Sequence, residues 1–245
     1  MNRKYLISVM SVLMLAAVYI ASNVILPRAQ SVMQETSYSE VESQENTDID
    51  FSDKCVVIDS GHGGIDPGKE GSGGILEKDI NLAISFKLKE LLEQSQIKVI
   101  MTRTDDTGLY QESDTNKKIA DMKKRCSIIN ESNANLVVSV HQNSFQSSLV
   151  KGAQVFYYKH SAEGKKLAEI LQSQLIEGLD CENKRAAKED HTYYLLINTK
   201  IPTVIAECGF LSNADEAELL CTEEYQQKVA KALYDGIIKY LISLQ

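Results

Sequence analysis

The sequence predicts an α/β fold, a single domain with a mostly parallel central sheet flanked by helices and preceded by an N-terminal hydrophobic segment. Three observations lead to this prediction. From Lys54 onward, short apolar runs alternate with amphipathic stretches of helix length, as in layered folds with a largely parallel sheet. The 245 residues provide enough chain for one domain of ordinary size plus appendages. Hydrophobic residues make up 43% of the chain, which is typical of a globular protein with a buried core.

The N-terminus contains a candidate membrane segment. Arg3 and Lys4 precede an uncharged, apolar stretch of 21 residues from Leu6 to Leu26. This length is close to the roughly 20 residues of a helix that spans a bilayer, and it exceeds the about 7–15 apolar residues of a removable signal peptide. Because positive charge before such a segment keeps that end in the cytoplasm, the remainder is expected to be exported. The alternative is a buried core helix, but the terminal position of the segment and its basic flank argue against this alternative.

We therefore expect residues 1–27 to be a signal or anchor segment, and the rest of the chain to be extracytoplasmic, either membrane-anchored or secreted. Residues 28–53 are polar, carry a net charge of −6 and show no sustained periodicity, which predicts a disordered acidic linker. Residues 54–245, the predicted catalytic domain, then carry −4 of the total net charge of −8. They contain no basic stripe with interleaved aromatic residues, so nucleic-acid binding is excluded.

The strands of the predicted sheet are short apolar runs. The first, residues 55–59, stops at a group of glycines, as buried strands do when they enter a functional loop. The predicted strands are residues 55–59, 98–102, 136–140, 154–158 and 203–206.

The helices between the strands repeat apolar residues on one face. In residues 79–94, for example, Ile80, Ile84, Leu88 and Leu91 recur at the spacing of one helix face. The predicted helices are residues 79–94, 116–132, 162–179 and 223–242. Of the five cysteines, none forms a C-x-x-C pair, and the odd number argues against a disulfide framework. Cys55 and Cys208 lie in or beside apolar runs and are expected to be buried as small hydrophobic residues.

Four side chains with metal-binding or proton-transfer chemistry lie next to these elements. His62, His141 and Glu207 follow predicted strands, and Glu77 comes just before the first helix. Since ligands bind beyond the carboxyl ends of parallel strands, we expect all four to converge at one edge of the sheet. Two imidazoles and a carboxylate can hold a zinc ion with one position open, and a second carboxylate can accept a proton from bound water.

Each of these residues also has an ordinary structural explanation. The glycine-rich turn around His62 could cradle a phosphate, but residues 61–68 do not fit the dinucleotide-binding pattern G-x-G-x-x-G. In addition, Lys69 is followed by Glu70 instead of the Ser or Thr of a P-loop. Glu77 alone is typical of a first-turn acid favoured by the helix dipole. His141 alone could be a core histidine. Glu207 ends an apolar run, where a carboxylate is costly unless it is paired or functional.

Taken together, these segments resemble the zinc-dependent N-acetylmuramoyl-L-alanine amidases of bacterial cell walls. The resemblance extends from Cys55 to Leu244 and includes D-x-G-H-G-G-x-D-x-G, S-V-H-x-N-S and E-C-G-F-L-S-N. Ser60 departs from the proline that is common in the family, without removing a catalytic group. Within the family, the N-terminal leader and the stretch from Arg185 to Leu196 are most similar to the germination-specific branch of spore formers.

The resemblance implies one zinc ion per domain, with His62, Glu77 and His141 as ligands and Glu207 as the catalytic carboxylate. It also suggests substrate contacts for three further residues, which are His191, Asn143 and Arg103. The implied reaction is cleavage of the amide bond between N-acetylmuramic acid and the L-alanine of the stem peptide, here during maturation of the spore cortex to muramic δ-lactam.

The implied partners are peptidoglycan, the membrane through the N-terminal segment, and an accessory or activator protein. Two other functions remain open at the level of sequence. The chain could be a zinc peptidase or deacetylase that acts on another wall bond, because the zinc chemistry is nearly the same. It could also be a catalytically silent protein that binds or regulates the wall.

Overall fold

A sheet of six strands forms the centre of the computed structural model, which describes residues 49–245. The predicted anchor and residues 28–48 of the predicted linker lie outside the described residues, so both remain predictions. The strand order is β2-β1-β3-β6-β4-β5. The strands are β1 (Cys55–Ser60), β2 (Lys98–Met101), β3 (Leu136–Asn143), β4 (Gln154–Tyr158), β5 (Lys188–Asp190) and β6 (Thr203–Phe210).

Most neighbouring strands are parallel. Strands β1, β2, β3 and β6 run in one direction, whereas β4 pairs antiparallel with β6 and parallel with β5. The first three strands are separated by helices in the sequence, as parallel neighbours require. The predicted α/β class with a mostly parallel sheet is therefore confirmed for the described part of the chain.

Helices cover both faces of this sheet. The α-helices are α1 (Glu77–Gln94), α2 (Lys117–Glu131), α3 (Ala162–Leu179), α4 (Tyr194–Asn198), α5 (Ala214–Leu220) and α6 (Glu223–Ile242). On one face, α1 and α3 pack against α6. On the other, Cys126 and Ile129 of α2 pack with Val57, Val137 and Leu195. Because both faces are buried, the central strands are almost continuously apolar.

Side-chain caps define where several helices begin. Asn116, Ser161, Asn213 and Thr222 each accept a hydrogen bond from a backbone N–H three residues further on. Such caps satisfy amide groups that have no partner within the helix. They explain why the observed starts of α2, α3 and α6 lie within one residue of the predicted starts.

Strands β3 and β6 extend three and four residues beyond their predicted ends, and this changes the location of two site residues. Strand β3 continues to Asn143 and β6 to Phe210, so His141 and Glu207 lie within strands instead of after them. Similarly, Glu77 is the first residue of α1 rather than a residue before it. Four short elements were not predicted, namely β5, α4, α5 and a 3-10 helix at Ser72–Gly74, because segments of three to seven residues show too little periodicity.

The buried cysteines are where the sequence predicts them. Cys55 and Cys208 are both buried, and all five cysteines are free. Among residues 49–245, no helix combines the length and the apolar character needed to cross a bilayer.

Replacing Leu171 by alanine tests the contact between α3 and α6. Leu171 is fully buried, and its side chain lies against Gly236 of α6. We expect Leu171→Ala to lower the free energy of unfolding by about 2–5 kcal/mol, because a cavity remains where the side chain was. Urea denaturation measures this change. Leu244→Ala, at an exposed position, is the control, and equal losses for both variants would contradict the assignment.

Candidate metal centre

The first site residue, His62, lies in the glycine-rich loop that follows β1. Its backbone adopts a positive φ of 61°, a conformation that residues other than glycine rarely occupy. The preceding residue joins this loop to the sheet, since Gly61 N donates to Val140 O at 3.1 Å. The His62 imidazole is thereby placed beside the carboxyl ends of β1 and β3.

The other site residues come from β3, β6 and α1. His141 and Glu207 are direct partners in the register of β3 and β6. Glu77 opens α1, which packs across β1 and β3. The predicted convergence of the four side chains is therefore present in the structure.

Three of these side chains form a tight group. Glu77 Oε2 lies 3.1 Å from His62 Nε2, and Glu77 Oε1 lies 2.9 Å from His141 Nδ1. The potential ligand atoms of the three residues all lie within 4.8 Å of one another. The two imidazoles are nearly perpendicular, with centroids 4.9 Å apart. The group thus presents two nitrogen ligands and one carboxylate around one point.

The Glu77 carboxylate is buried and fully engaged. Its oxygens accept hydrogen bonds from the backbone N–H groups of Lys69 (2.7 Å) and Gln142 (3.1 Å) and from Asn81 Nδ2 (3.3 Å). Burial by itself would raise the pKa of Glu77. The hydrogen bonds from His141 and His62 outweigh burial and hold this pKa well below its usual range. Glu77 is therefore ionised at neutral pH, as a metal ligand must be.

Two glycines leave the space that these side chains occupy. A Cβ atom at Gly61 would overlap the His141 imidazole. At Gly68, where φ is +74°, a Cβ atom would lie 2.5 Å from Glu77 Oε2 and 2.7 Å from His62 Cδ2. The glycine-rich segment thus leaves room for the two imidazoles and the carboxylate.

Glu207 differs from Glu77 in its surroundings. It is buried, and within the described part of the chain no group donates a hydrogen bond to its Oε2 atom. Burial raises the pKa of Glu207 to about 7, with a smaller lowering effect from His141 and a smaller raising effect from Glu77. A carboxyl group with a pKa near neutrality can both accept and release a proton at working pH.

Asp66 is a further residue of the site, and its role is not evident from the sequence alone. Its Oδ2 atom lies 3.0 Å from His62 Nδ1, while its Oδ1 atom accepts from Gly68 N at 3.3 Å. A carboxylate on the second nitrogen of a metal-binding histidine fixes the orientation of the ring and the position of its proton. In the sequence, only the short spacing of four residues within one loop indicates that Asp66 can contact His62.

A cleft of about 580 Å³ opens over the group and is lined by all four residues. Three tyrosines and several apolar side chains form other parts of its wall, namely Tyr110, Tyr193, Tyr194, Ile65, Met122 and Leu195. Of the three proposed substrate residues, Asn143 lines this cleft. His191 is exposed on the loop between β5 and α4, outside the lining, and Arg103 is buried beneath the glycine-rich loop.

The donor set fits zinc, because two imidazoles and one carboxylate are a usual set of protein ligands for a catalytic zinc ion. A buried carboxylate with an unpartnered oxygen lies in the same cleft. The fold and the donor set together are those expected of a metal-dependent hydrolase on an α/β scaffold.

Comparison with known proteins identifies the family. A sequence profile of N-acetylmuramoyl-L-alanine amidases matches residues 56–239. The germination-specific N-acetylmuramoyl-L-alanine amidase of Bacillus subtilis is 39% identical over 206 residues, which cover 83% of this chain and 86% of that protein. The chain therefore belongs to the N-acetylmuramoyl-L-alanine amidase family, as the sequence motifs indicate.

Solved structures show the same relationship. The CwlD amidase of Clostridioides difficile, solved in complex with the GerS lipoprotein, is 46% identical with a TM-score of 0.75, and the match covers 78% of this chain and 99% of that one. The amidase AmiC2 of Nostoc punctiforme is 32% identical with a TM-score of 0.68, over 77% of this chain and 97% of that one.

Substituting Gly61 tests the packing around the candidate ligands. We expect Gly61→Ala to weaken zinc binding by about 10–100-fold or more, because the new methyl group displaces His141. Competition with a chromogenic chelator measures the affinity. Gly73→Ala is the control for an added methyl group without a steric clash, since no atom lies within 4 Å of a Cβ at Gly73. Unchanged affinity in Gly61→Ala would contradict the arrangement.

Proposed function

We propose that the protein hydrolyses the amide bond between the lactyl group of N-acetylmuramic acid and the L-alanine of the stem peptide, with one zinc ion held by His62, Glu77 and His141. The observation that carries this proposal is the convergence of these three side chains with Glu207 in one cleft. Membership of the amidase family supplies the class of bond.

When bound, zinc would polarise the scissile carbonyl and lower the pKa of a water molecule toward about 7. The chain's residues supply the remaining functions. Glu77 provides the negative charge of the ligand set and stays ionised. Asp66 holds the His62 ring through Nδ1, so that Nε2 faces Glu77.

Glu207 is proposed to move the proton. Its unpartnered Oε2 atom can accept a proton from the attacking water. It can then release this proton to the nitrogen of the departing L-alanine, which leaves as an amine. Such a transfer requires a carboxyl group whose pKa lies near the working pH, and burial raises the pKa of Glu207 to about 7. Positive charge at the ligand group would lower this pKa and favour the ionised, proton-accepting form.

The lining of the cleft is suited to a substrate with sugar and peptide parts. Tyrosine rings such as those of Tyr110 and Tyr193 present an apolar face with a polar edge. Asn143 offers amide groups next to His141 in the same strand, and we retain it as a candidate substrate residue. The contacts of Arg103 with backbone carbonyls favour a role in supporting the loop over the predicted substrate contact.

We further propose that the reaction belongs to maturation of the spore cortex, where removal of the stem peptide precedes muramic δ-lactam. The support is the similarity to a germination-specific amidase. The domain would then act outside the cytoplasm, through the exported and anchored or secreted arrangement that the N-terminal sequence predicts. An accessory protein is a candidate partner, because the similar CwlD amidase was solved together with a lipoprotein.

Mass spectrometry of purified muropeptides incubated with the full-length protein and zinc tests the reaction. An amidase releases peptides that begin with a free L-alanine amine and leaves the N-acetyl groups intact. Cleavage within the stem peptide would instead identify a peptidase, and loss of acetyl groups a deacetylase. Absence of any product would mean either that an activator is required or that the protein is a silent wall-binding protein. Addition of a candidate accessory lipoprotein distinguishes the two, because only an enzyme that needs an activator would then form product.

Glu207→Gln separates proton transfer from metal binding. The amide keeps the size of the side chain but cannot accept the proton, so we expect turnover to fall by about 10²–10⁴-fold while zinc content stays the same. Turnover is followed by release of stem peptides, and zinc by elemental analysis. Glu218→Gln, on the exposed side of α5, is the control. A zinc-replete, active Glu207→Gln variant would refute the role of Glu207.

Removal of either imidazole is expected to abolish metal binding. His62→Ala and His141→Ala each leave two of the three proposed ligands, which is too few for a stable zinc site with one open position. Zinc binding is measured by chelator competition and folding by circular dichroism. His160→Ala, at an exposed position, serves as the control. Full zinc occupancy in a folded His62→Ala or His141→Ala variant would overturn the ligand set.

A further inference from the structure

Two buried arginines lie beneath the loop that carries His62. Arg103 follows β2 and is 4% exposed, while Arg125 lies on α2 and is 2% exposed. The proposed reaction uses neither of them. A guanidinium group is costly to bury unless all its N–H donors have partners. The acceptors of these donors therefore show which segments each arginine stabilises.

Arg103 joins the segments that carry two proposed ligands. Its Nε atom donates to Ser60 O at 3.0 Å, and its NH2 group donates to both Gly61 O at 3.0 Å and Lys78 O at 2.7 Å. Gly61 precedes His62, and Lys78 follows Glu77. One planar group therefore fixes the distance between the loop after β1 and the first turn of α1.

Arg125 holds the same loop from the side of α2. Its NH1 group donates to Ser60 O at 2.7 Å and to Asp59 Oδ1 at 2.8 Å, and its NH2 group donates to His62 O. Asp59 is itself fixed by the hydroxyl groups of Thr102 (2.7 Å) and Ser139 (2.6 Å). Strand β1 thus fixes the position of Arg125, and Arg125 in turn holds the backbone carbonyl of His62.

The loop needs such support because its conformation is unfavourable. The left-handed backbone of His62, with φ of 61°, costs about 1–2 kcal/mol for a residue with a Cβ atom. Three consecutive carbonyl groups, at residues 60, 61 and 62, also point to the arginines instead of to a regular partner strand. Arginine can satisfy them because its five N–H donors lie in one rigid plane.

We propose that Arg103 and Arg125 are positioning residues of the metal centre, which hold His62 and Glu77 at the separation that zinc binding requires. The inference rests on the proposed zinc site. Without the two guanidinium groups, the loop relaxes from its left-handed conformation, and zinc binding must provide the free energy to restore it. All three ligands remain in the chain, but the affinity for zinc falls.

Lysine substitutions in the full-length chain test this inference. Arg103→Lys and Arg125→Lys keep the positive charge but lose the planar fork. We expect each to weaken zinc binding by about 10–100-fold, measured by chelator competition, and to change the visible absorption spectrum of the Co²⁺-loaded protein. Arg185→Lys is the matched control, since Arg185 also donates to a backbone carbonyl, Lys151 O, at 2.9 Å.

Thermal unfolding of the zinc-free variants separates positioning from general stability. The inference requires that the lysine variants fold without zinc and still bind it weakly. Folded variants with affinity within twofold of the unaltered protein and the same Co²⁺ spectrum would overturn it. Variants that do not fold would also overturn it, because the arginines would then support the fold as a whole. Failure of the unaltered, folded protein to bind zinc would instead refute the proposed metal site.

Discussion

The ionised carboxylate of Glu77 is the interaction on which the rest of the site depends. Burying a charge without partners costs several kcal/mol, and Glu77 is 1% exposed. Its two oxygens therefore accept hydrogen bonds from the backbone N–H groups of Lys69 and Gln142 and contact both imidazoles of the site. These contacts hold the glycine-rich loop, strand β3 and helix α1 together before any metal binds. A metal ion would replace protons between groups that already face one another, and its binding therefore releases protons.

The fold was largely predictable because its signals are local. Apolar runs and helical periodicity located most strands and helices, and the alternation of the two predicted a mostly parallel sheet. The antiparallel direction of β4 was not predictable. The composition of Gln154–Tyr158 suits a parallel or an antiparallel strand, and only the pairing with β6 determines the direction. Strand β5, Lys188–Asp190, is short, charged and at the edge of the sheet. Its residues satisfy no strand pattern.

The convergence of the four central residues was predictable from their types and from their positions beside predicted strands and the start of a predicted helix, whereas their support was not. Arg103 bonds to carbonyl groups 25 and 42 positions away in the sequence, and Arg125 to one 63 positions away. No local pattern encodes such contacts. For the same reason the sequence does not reveal the main constraint on Gly61, which is the His141 ring of strand β3.

The different roles proposed for the two carboxylates follow from their surroundings rather than from their chemistry. Glu77 and Glu207 are both buried in one cleft, so burial raises the pKa of each. At Glu77, hydrogen bonds from two imidazoles outweigh that effect and keep the group ionised. At Glu207, no group among residues 49–245 donates a hydrogen bond to Oε2, and burial raises the pKa to about 7. A pair of acids separated in this way can divide one reaction between them. The member whose pKa is held low suits a cation, and the member whose pKa lies near neutrality suits a proton.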